Sequence, residues 1–260
     1  MKKKKSIVYD QKMFIKFVDE KYYQNFINKG ELFFGNLSLY RNIEENNGNR
    51  GIGDRDEGNL NFTKGELKNY GIVLQVGDQY ITYKDIHANK NDLATTISPQ
   101  AAIFCCTILS AKHNLINSKR RNRFINNIKD SLLSDNNYNK KVVLIPDFNG
   151  FINKFNVAAK KYKMKTMSGP VIYDNNHYEA SSRLVNKLQA KGKNLDLTHS
   201  LIYVKREEFK HQQEFRMTID TPDNNSFKLY LGPLKNDTIT FDSIEECLNS
   251  INIETKIEKI

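Results

Sequence analysis

The sequence has no tryptophan, three cysteines and five prolines among its 260 residues. Without tryptophan, phenylalanine and tyrosine must supply the aromatic volume of the core. The cysteines, Cys105, Cys106 and Cys247, are odd in number and match no CxxC or Cys/His metal spacing. The sequence therefore argues against a disulfide framework and a zinc-binding motif, and we expect a reducing, cytoplasmic setting.

Long hydrophobic runs are also missing. The longest apolar run, AAIFCC at residues 101–106, has the length of a core strand, whereas a membrane-spanning helix needs about 18 apolar residues. The amino-terminal sequence MKKKKSIVYD is basic but lacks the apolar segment of a signal peptide. We therefore expect no membrane-spanning segment and no secretory leader.

Positive charge is in excess, with 40 Lys and Arg residues against 30 Asp and Glu residues and a net charge of +10. Such a surplus favours contact with nucleic acid, a phosphorylated cofactor or another anionic partner. The alternative is a Lys- and Asn-rich composition that reflects an AT-rich genome, with solvated lysines that need no partner. Apart from the amino-terminal lysines, the densest basic patch is Lys119, Arg120, Arg121 and Arg123.

Near the amino terminus, large apolar residues recur at every fourth position and predict a helix over residues 10–30. These residues are Phe14, Val18, Tyr22 and Phe26. Gly30 is the expected carboxyl-terminal cap. Residues 31–42, ELFFGNLSLYRN, are predicted to form a strand, a turn at Gly35 and Asn36, and a second extended piece.

The rest of the chain mixes strand-like and helix-like patterns. A hairpin is expected around Gly77 and Asp78, and strands are expected at 101–110, 141–148, 169–174, 200–209, 214–220 and 227–234. Helices are expected at 114–135, 150–165, 178–193 and after Ser243. No repeat or low-complexity linker interrupts the pattern. We therefore predict one α+β domain over residues 1–260, with a mainly antiparallel or mixed sheet and peripheral helices.

Two local features in the first quarter of the chain are candidate binding elements. Tyr40 and Arg41 come first, and the guanidinium of Arg41 offers a rigid fork of donors for a phosphate or carboxylate, unless it is simply solvated. GDRDEG at residues 53–58 follows, in a long polar loop. Its acidic residues are weak candidates for metal ligands, since the spacing matches no complete calcium loop. They are Asp54, Asp56 and Glu57. An acidic turn held by Arg41 or Arg55 is the alternative, with Glu57 as the buried partner of an arginine.

The third feature is HQQEFR at residues 211–216. Because strand side chains alternate, Gln212, Glu214 and Arg216 would share one face of a strand, and His211, Gln213 and Phe215 the other. An amide and a carboxylate two residues apart can be aimed at one substrate, where the carboxylate acts as a base or stabilises a developing positive charge. The alternative is a polar strand edge with a Glu–Arg ion pair.

Two resemblances follow from these motifs. The order of FINKGELFFGNLSLYRN, GIGDRDEG, IFCCTIL, QEFR and LYLGPL resembles a group of uncharacterised bacterial and phage proteins with an early D..EG and a late E-[FW]-R. Their resemblance implies no activity. The chain also resembles ADP-ribosyltransferases, which have an early arginine, a middle Ser/Thr strand and a late [Q/E]-x-E, although no clean Ser-Thr-Ser strand is present. Arg41, Thr107 or Ser110, and Gln212-x-Glu214 occur in that order.

The second resemblance implies an NAD-dependent ADP-ribosyltransferase, such as a toxin or anti-phage effector, that modifies nucleic acid or protein. It implies catalytic roles for Glu214 and Gln212. The residues expected to bind the cofactor are Arg41, Tyr40, Ser110 and Arg216. A non-enzymatic module that binds nucleic acid or a phage component, through the basic patch at residues 119–123, is the first alternative. A metal-dependent phosphodiesterase that uses the acidic loop and Glu214 is the second.

Overall fold

The computed structural model describes residues 5–8, 12–47, 54, 56–76, 78–87, 89–110, 118–132, 139–193, 195–221 and 225–254. In these residues the strands are β1 (Lys5–Val8), β2 (Met13–Asp19), β3 (Glu31–Asn36), β4 (Leu60–Thr63), β5 (Leu74–Val76), β6 (Gln79–Ile81), β7 (Leu93–Ile97), β8 (Ala101–Leu109), β9 (Lys140–Ile145), β10 (Thr166–Pro170), β11 (Ile172–Tyr173), β12 (Val204–Lys205), β13 (Glu214–Asp220), β14 (Phe227–Tyr230), β15 (Ile239–Phe241) and β16 (Ile251–Glu254). The α-helices are α1 (Glu20–Lys29), α2 (Leu37–Asn47), α3 (Lys64–Asn69), α4 (Ser118–Leu132), α5 (Phe148–Lys161), α6 (His177–Gln189), α7 (Leu197–Ser200) and α8 (Ile244–Asn249). Two 3₁₀ helices span Leu201–Tyr203 and Glu207–Gln212.

An eight-stranded sheet organises the fold. Six strands follow the order β10-β13-β8-β2-β9-β15, and each pairs with its neighbour in antiparallel fashion. Strand β3 also pairs with β8, and β14 extends the sheet from β3. The α+β class, with a mainly antiparallel sheet and helices around it, is therefore confirmed.

Alternation along the central strands builds separate cores on the two faces of this sheet. Phe14 of β2 packs in one core with Phe151 and Phe155 of α5. Its neighbour Ile15 belongs to a second core, which includes Ile128 of α4. Because both β2 and β8 bear apolar side chains on each face, the middle of the sheet is covered on both sides.

Strands β2 and β3 share one edge of β8 and then diverge from each other. The ladder between β2 and β8 ends at the pair Ile15–Thr107, and the ladder between β3 and β8 begins at Gly35–Ile103. Beyond Ile15, β2 continues along β9. The divergence opens a gap in the sheet beside residues 104–106, and α1 links the two diverging strands.

The prediction of a helix over residues 10–30 is correct only for its second half. Residues 13–19 form a central strand, and the helix begins at Glu20. The recurrence of apolar residues at every fourth position does not distinguish a helix from a strand, because every fourth residue also lies on one face of a strand. The predicted cap at Gly30 is confirmed, since this residue has a left-handed conformation with φ of 63°.

Two other extended segments were also predicted wrongly. After Asn36 the chain turns into α2, and the Asn36 side chain accepts a hydrogen bond of 2.7 Å from the Leu39 N–H, as a helix amino-terminal cap does. At residues 197–212, a short helix and two 3₁₀ helices flank the two-residue strand β12. There the Asp196 carboxylate caps α7 by accepting from the His199 N–H. In both places a local capping contact prevails over strand propensity.

Most of the remaining predicted elements are found. The hairpin forms between β5 and β6, and the 101–110 segment is a largely buried strand. The helices predicted at 114–135, 150–165 and 178–193 correspond to α4, α5 and α6. The longest helix in the described ranges, α4, has 15 residues, and no helix there has the length and apolarity to cross a bilayer.

Candidate functional site

Arg216 lies at the centre of a buried charge cluster. Its side chain has no exposed surface. Nε donates to Glu214 Oε1 at 2.8 Å and Nη2 to Glu214 Oε2 at 3.2 Å. Nη1 and Nη2 donate to the two carboxylate oxygens of Glu57 at 2.6 and 3.1 Å. The guanidinium therefore binds two carboxylates, each through a pair of hydrogen bonds, and such paired bonds are the strongest that arginine makes.

Lys205 is the second cation of this cluster and is only 3% exposed. Its Nζ donates to Gln212 Oε1 at 3.0 Å and to Glu214 Oε2 at 3.3 Å, and it lies 3.8 Å from Glu57 Oε2. The ammonium also lies 4.5 Å from the centre of the Phe209 ring. Two buried cations thus balance two buried carboxylates, as burial of charge requires.

The predicted common face of Glu214 and Arg216 is found, because both side chains alternate with Phe215 along β13. Phe215 faces the opposite core, where its ring centre is 5.0 Å from that of Phe14. Gln212 reaches the cluster differently. It ends a 3₁₀ helix, and Gln213 has a left-handed φ of 48° before the strand begins. The extension of the strand pattern back to Gln212 was therefore wrong, although its amide joins the same cluster.

The acidic loop is held by arginines. Glu57 is the buried partner of an arginine, as one of the alternatives foresaw, and this arginine is Arg216. Asp54 Oδ1 lies 2.9 Å from Arg206 Nη2, and Asp56 Oδ2 lies 3.5 Å from Arg206 Nε. Arg41 holds the same loop by donating from Nη1 to the Glu57 carbonyl at 2.7 Å. Gly53 and Arg55 of the GDRDEG motif lie outside the described residues.

These contacts bear on the weak metal candidates Asp54, Asp56 and Glu57. Each of the three carboxylates faces an arginine. In the described part of the chain, no group of three or more His, Cys, Asp and Glu side chains could hold a metal ion. The phosphodiesterase alternative therefore has no ligand set among these residues.

A cleft of about 660 Å³ opens over the charge cluster, in the gap where β2 and β3 diverge. Its inner wall includes the side chains of Glu57, Lys205, Gln212 and Glu214. Toward solvent it is lined by aromatic and apolar side chains, of which Tyr22, Phe33 and Leu39 are exposed. The volume falls in the range of small-molecule sites, which combine apolar walls with a few polar groups.

Tyr40 and Arg41 are neighbours but point to different places. Tyr40 lies in the cleft wall, and its hydroxyl is so close to Gly35 that a Cβ there would approach within 2.8 Å. Gly35 thus makes room for the Tyr40 ring. Arg41 is not among the described residues that line the cleft, because its guanidinium is bound to the acidic loop and to Ser98 Oγ at 3.3 Å. The geometry gives Arg41 a loop-holding position.

The middle strand β8 contributes Thr107 to the cleft. Thr107 is paired with Glu214 across the β8–β13 ladder and lies in the cleft wall. Ser110 follows the end of β8 and is not among the described lining residues. Of the two candidates for the Ser/Thr position, the structure therefore brings Thr107 to the charge cluster.

The cluster determines the protonation state of its members. Burial raises the pKa of Glu214, but Arg216 and Lys205 more than offset this effect, so the pKa is held well below its usual range. Burial also raises the pKa of Glu57, and there the same two cations offset it only in part. The carboxylate that faces the cleft from β13 is thus ionised at neutral pH.

Cys105 stands beside this carboxylate and is not an activated nucleophile. Its side chain hydrogen-bonds with Glu214, and burial together with the Glu214 charge raises the pKa of the thiol well above its usual range. A reactive cysteine has a lowered pKa, because the thiolate is the nucleophile. The Cys105 thiol is therefore protonated at neutral pH, whereas the neighbouring Glu214 carboxylate is ionised.

Sequence reasoning missed Lys16 and Lys205, which both belong to the cleft. For each lysine, the neighbouring residues in the sequence indicate burial. Lys16 interrupts the apolar run MFIKFV, and Lys205 follows the apolar LIYV. A lysine inside an apolar strand-like run is unusual, since lysine is rarely buried without a partner. Arg206 was missed too, and its neighbouring residues carry no comparable signal.

The basic patch lies on α4, a helix that packs against the 3₁₀ helix Glu207–Gln212. Lys119, Arg120 and Arg123 are exposed, and Arg121 donates from Nη1 to Asn249 Oδ1 at 3.2 Å. The opposite face of the helix packs Phe124, Ile125 and Ile128 into the second core. Residues 1–4, with the amino-terminal lysines, lie outside the described residues.

No protein-family model, curated protein or solved structure matches this chain.

The first prediction concerns the stability of the charge cluster. Arg216→Met should lower the free energy of unfolding by about 3–5 kcal/mol, because it leaves two buried carboxylates with one cation. Arg183→Met is the matched control, since Arg183 is 60% exposed and pairs with Asp174 at the surface. It should change stability by about 1 kcal/mol or less. Urea denaturation measures both, and equal effects would contradict a structural role for Arg216.

The second prediction concerns pH. Since the folded-state pKa of Glu214 is depressed, its ionisation stabilises the fold above the usual Glu pKa of about 4.3, and this contribution is lost as the pH falls below that value. Glu57, with its raised pKa, acts with the opposite sign. The difference in unfolding free energy between wild type and Glu214→Gln should therefore be constant from about pH 7 to 5 and shrink below about pH 4.3. A constant difference down to about pH 3 would be inconsistent with this ionisation.

Proposed function

We propose that this protein is an ADP-ribosyltransferase-like enzyme, a toxin or anti-phage effector, that transfers ADP-ribose from NAD to nucleic acid or protein. The observation that carries the proposal is the position of Glu214. Its carboxylate is ionised, is held by two buried cations, and forms part of the wall of a cleft of ligand size. A carboxylate fixed in this way is a group of the kind that glycosyl transfer from NAD requires.

The chemistry follows from charge. When nicotinamide leaves NAD, positive charge develops on the ribose, and a fixed negative group beside it lowers the barrier. A carboxylate on a strand, locked by hydrogen bonds, needs no reorganisation during the reaction. Arg216 and Lys205 supply this preorganisation, because six of their hydrogen bonds and ion pairs converge on Glu214 and Glu57.

The cleft wall also suits the rest of a dinucleotide. The exposed rings of Tyr22 and Phe33 offer flat surfaces on which a base can stack. Thr107 provides a hydroxyl next to Glu214. Gln212 has its amide oxygen bound to Lys205, so in this proposal it positions that lysine.

The cofactor-binding roles expected for Arg41 and Arg216 change in this proposal. Arg216 lies behind the carboxylates and has no exposed surface with which to meet a phosphate. Arg41 binds the carbonyl of Glu57. Both arginines therefore act as positioning residues: Arg216 orients the carboxylates, and Arg41 holds the loop that delivers Glu57.

The third prediction tests this function. Wild-type protein incubated with NAD and total cellular RNA, DNA and protein should consume NAD and label one of these fractions. Glu214→Gln should reduce the rate about 100-fold or more, since it removes the negative charge beside the reacting ribose. Glu179→Gln, which changes an exposed carboxylate on α6, is the control and should leave the rate unchanged.

Circular dichroism must show that both variants are folded at the assay temperature, because Glu214 also belongs to a buried ion pair. Glu214→Asp, which keeps the charge but shortens its reach, should recover part of the rate if the variant folds. NAD that stays intact with wild type in all three fractions would overturn the proposal.

The exposed basic face of α4 favours a second candidate, a non-enzymatic module that binds nucleic acid or a phage component through phosphate contacts. Lys119, Arg120 and Arg123 face solvent while the other side of the helix is anchored in the core. A helix fixed in this way presents its charges in constant positions. This role is also compatible with the enzyme, since nucleic acid is one of the proposed acceptors.

The fourth prediction concerns this basic face. Lys119→Ala combined with Arg123→Ala should weaken binding of double-stranded DNA and reduce the slope of log affinity against log salt by roughly 0.9 for each lost phosphate contact. Lys160→Ala combined with Lys161→Ala removes two charges from α5 and should leave the slope unchanged. No binding at about 50 mM salt, or binding independent of salt, would reject this candidate.

A further inference from the structure

On one edge of β8, the backbone of Cys105 is not paired with a neighbouring strand in the described part of the chain. The β2 ladder reaches Thr107 and the β3 ladder starts at Ile103, so Cys105 stands between them with no strand opposite it on that edge among the described residues. On its other edge β8 is paired with β13 from Thr107 to Ala101. Cys105 is therefore a strand residue whose outer edge faces the cleft.

Backbone alternation gives the direction of the Cys105 amide. In an antiparallel sheet, the N–H and C=O of one residue point to the same edge, and successive residues alternate. The Ile108 N–H binds the carbonyl of Gln213, which precedes β13. Residues 106 and 104 therefore point toward β13 as well, and Cys105 points its N–H and C=O into the gap.

Lys16 occupies part of that gap. Its Nζ donates to the Cys105 carbonyl at 2.7 Å, which agrees with the direction derived from alternation. The ammonium lies 4.4 Å from the centre of the Phe104 ring. Among the described residues, no carboxylate lies within 4.0 Å of it. In the described part of the chain, neither β2 nor β3 is paired with Cys105, so no ladder provides an acceptor for its N–H on this edge.

We propose that the Lys16 ammonium and the Cys105 N–H together form an anion subsite that takes a phosphate group of the ligand in the cleft. A backbone N–H and an ammonium that converge on one space are donors of the kind that phosphate oxygens accept. Lys16 has three donor hydrogens, of which the Cys105 carbonyl uses one. This inference rests on the proposed function for its ligand, a dinucleotide, but its geometry is independent of catalysis.

Three of the four acids that line the cleft are in ion pairs. Glu214 and Glu57 pair with Arg216 and Lys205, and Glu31 pairs with Lys228. The fourth is Asp19, whose Oδ1 is buried without a hydrogen-bond partner in the described part of the chain.

Of the other lysines that line the cleft, Lys228 pairs with Glu31 at 2.8 Å, and Lys21 lies 4.8 Å from the centre of the Tyr22 ring. Lys16 is the cleft lysine whose ammonium binds the Cys105 backbone in the gap. The subsite lies two residues along β8 from Thr107, which is opposite Glu214.

The fifth prediction uses binding. Isothermal titration with ADP should show saturable binding to wild type, and inorganic pyrophosphate should compete with it. Lys16→Met should weaken ADP binding about 10-fold to 100-fold, as loss of a charge-assisted hydrogen bond does, and Lys16→Arg should restore most of it. Lys228→Met, which removes a cleft lysine already paired with Glu31, should change affinity less than about 2-fold.

Cysteine-selective ¹⁵N labelling tests the backbone donor directly, because the chain has only three cysteines. Only Cys105 follows a phenylalanine, so ¹³C-carbonyl labelling of phenylalanine assigns its amide signal. Titration with pyrophosphate should shift the Cys105 amide most. Cys106, whose N–H points toward β13, and Cys247 in α8 are internal references.

The outcomes separate this inference from the proposed function. A Cys105 shift and a loss of ADP affinity in Lys16→Met would support the subsite even if NAD stays intact, in which case only the enzymatic proposal fails. Consumption of NAD by wild type with unchanged ADP binding in Lys16→Met would overturn only the subsite. Absence of ADP and pyrophosphate binding, or a Cys105 amide that does not move, would also overturn it.

Discussion

Two carboxylates share one fully buried guanidinium, and the architecture around the cleft depends on that contact. Arg216 joins Glu57 of the acidic loop to Glu214 of β13, and Lys205 of β12 completes the balance of charge. Each of these ions loses several kcal/mol of hydration on burial, so the arrangement is stable only when all four are present together. The cluster therefore couples a loop, a central strand and a short edge strand into one unit, and the inner wall of the cleft is a surface of that unit.

The cleft itself results from how the strands pair. Strand β8 is long enough to pair with β2 at one end and β3 at the other, and these two strands leave in different directions. A closed sheet would have no room for a ligand at this point. At the point where β8 is paired with neither β2 nor β3, Lys16 and the Cys105 backbone provide polar groups. The charge cluster provides a fixed carboxylate there. Lys16, Cys105 and Glu214 all belong to strands of the central sheet, so backbone hydrogen bonds fix their positions, as a preorganised site requires.

Elements with an unambiguous pattern were predictable from the sequence. The continuous apolar run of β8 and the alternation of β13 correctly predicted two strands. They also predicted that Glu214 and Arg216 lie on the same face of β13. Residues 13–19 were not predicted correctly, because a spacing of four fits both a helix and a strand and only the partner strands β8 and β9 decide between them. That Glu57 pairs with an arginine could be expected, but not that its partner is Arg216, since 159 residues separate them. The position of Lys205 after an apolar run indicates that it is buried, but not that one of its partners is Glu57, which is distant in the sequence.

That separation has a consequence for synthesis on the ribosome. Chains grow at about 5–20 residues per second, so roughly 8–30 s pass between the appearance of Glu57 and that of Arg216. During this time the acidic loop has no guanidinium to receive it, and β8 waits for β13, its partner along seven residues. Non-local pairing of this kind slows folding. The nascent chain therefore cannot assemble the charge cluster or the inner wall of the cleft until Arg216 has emerged from the ribosome.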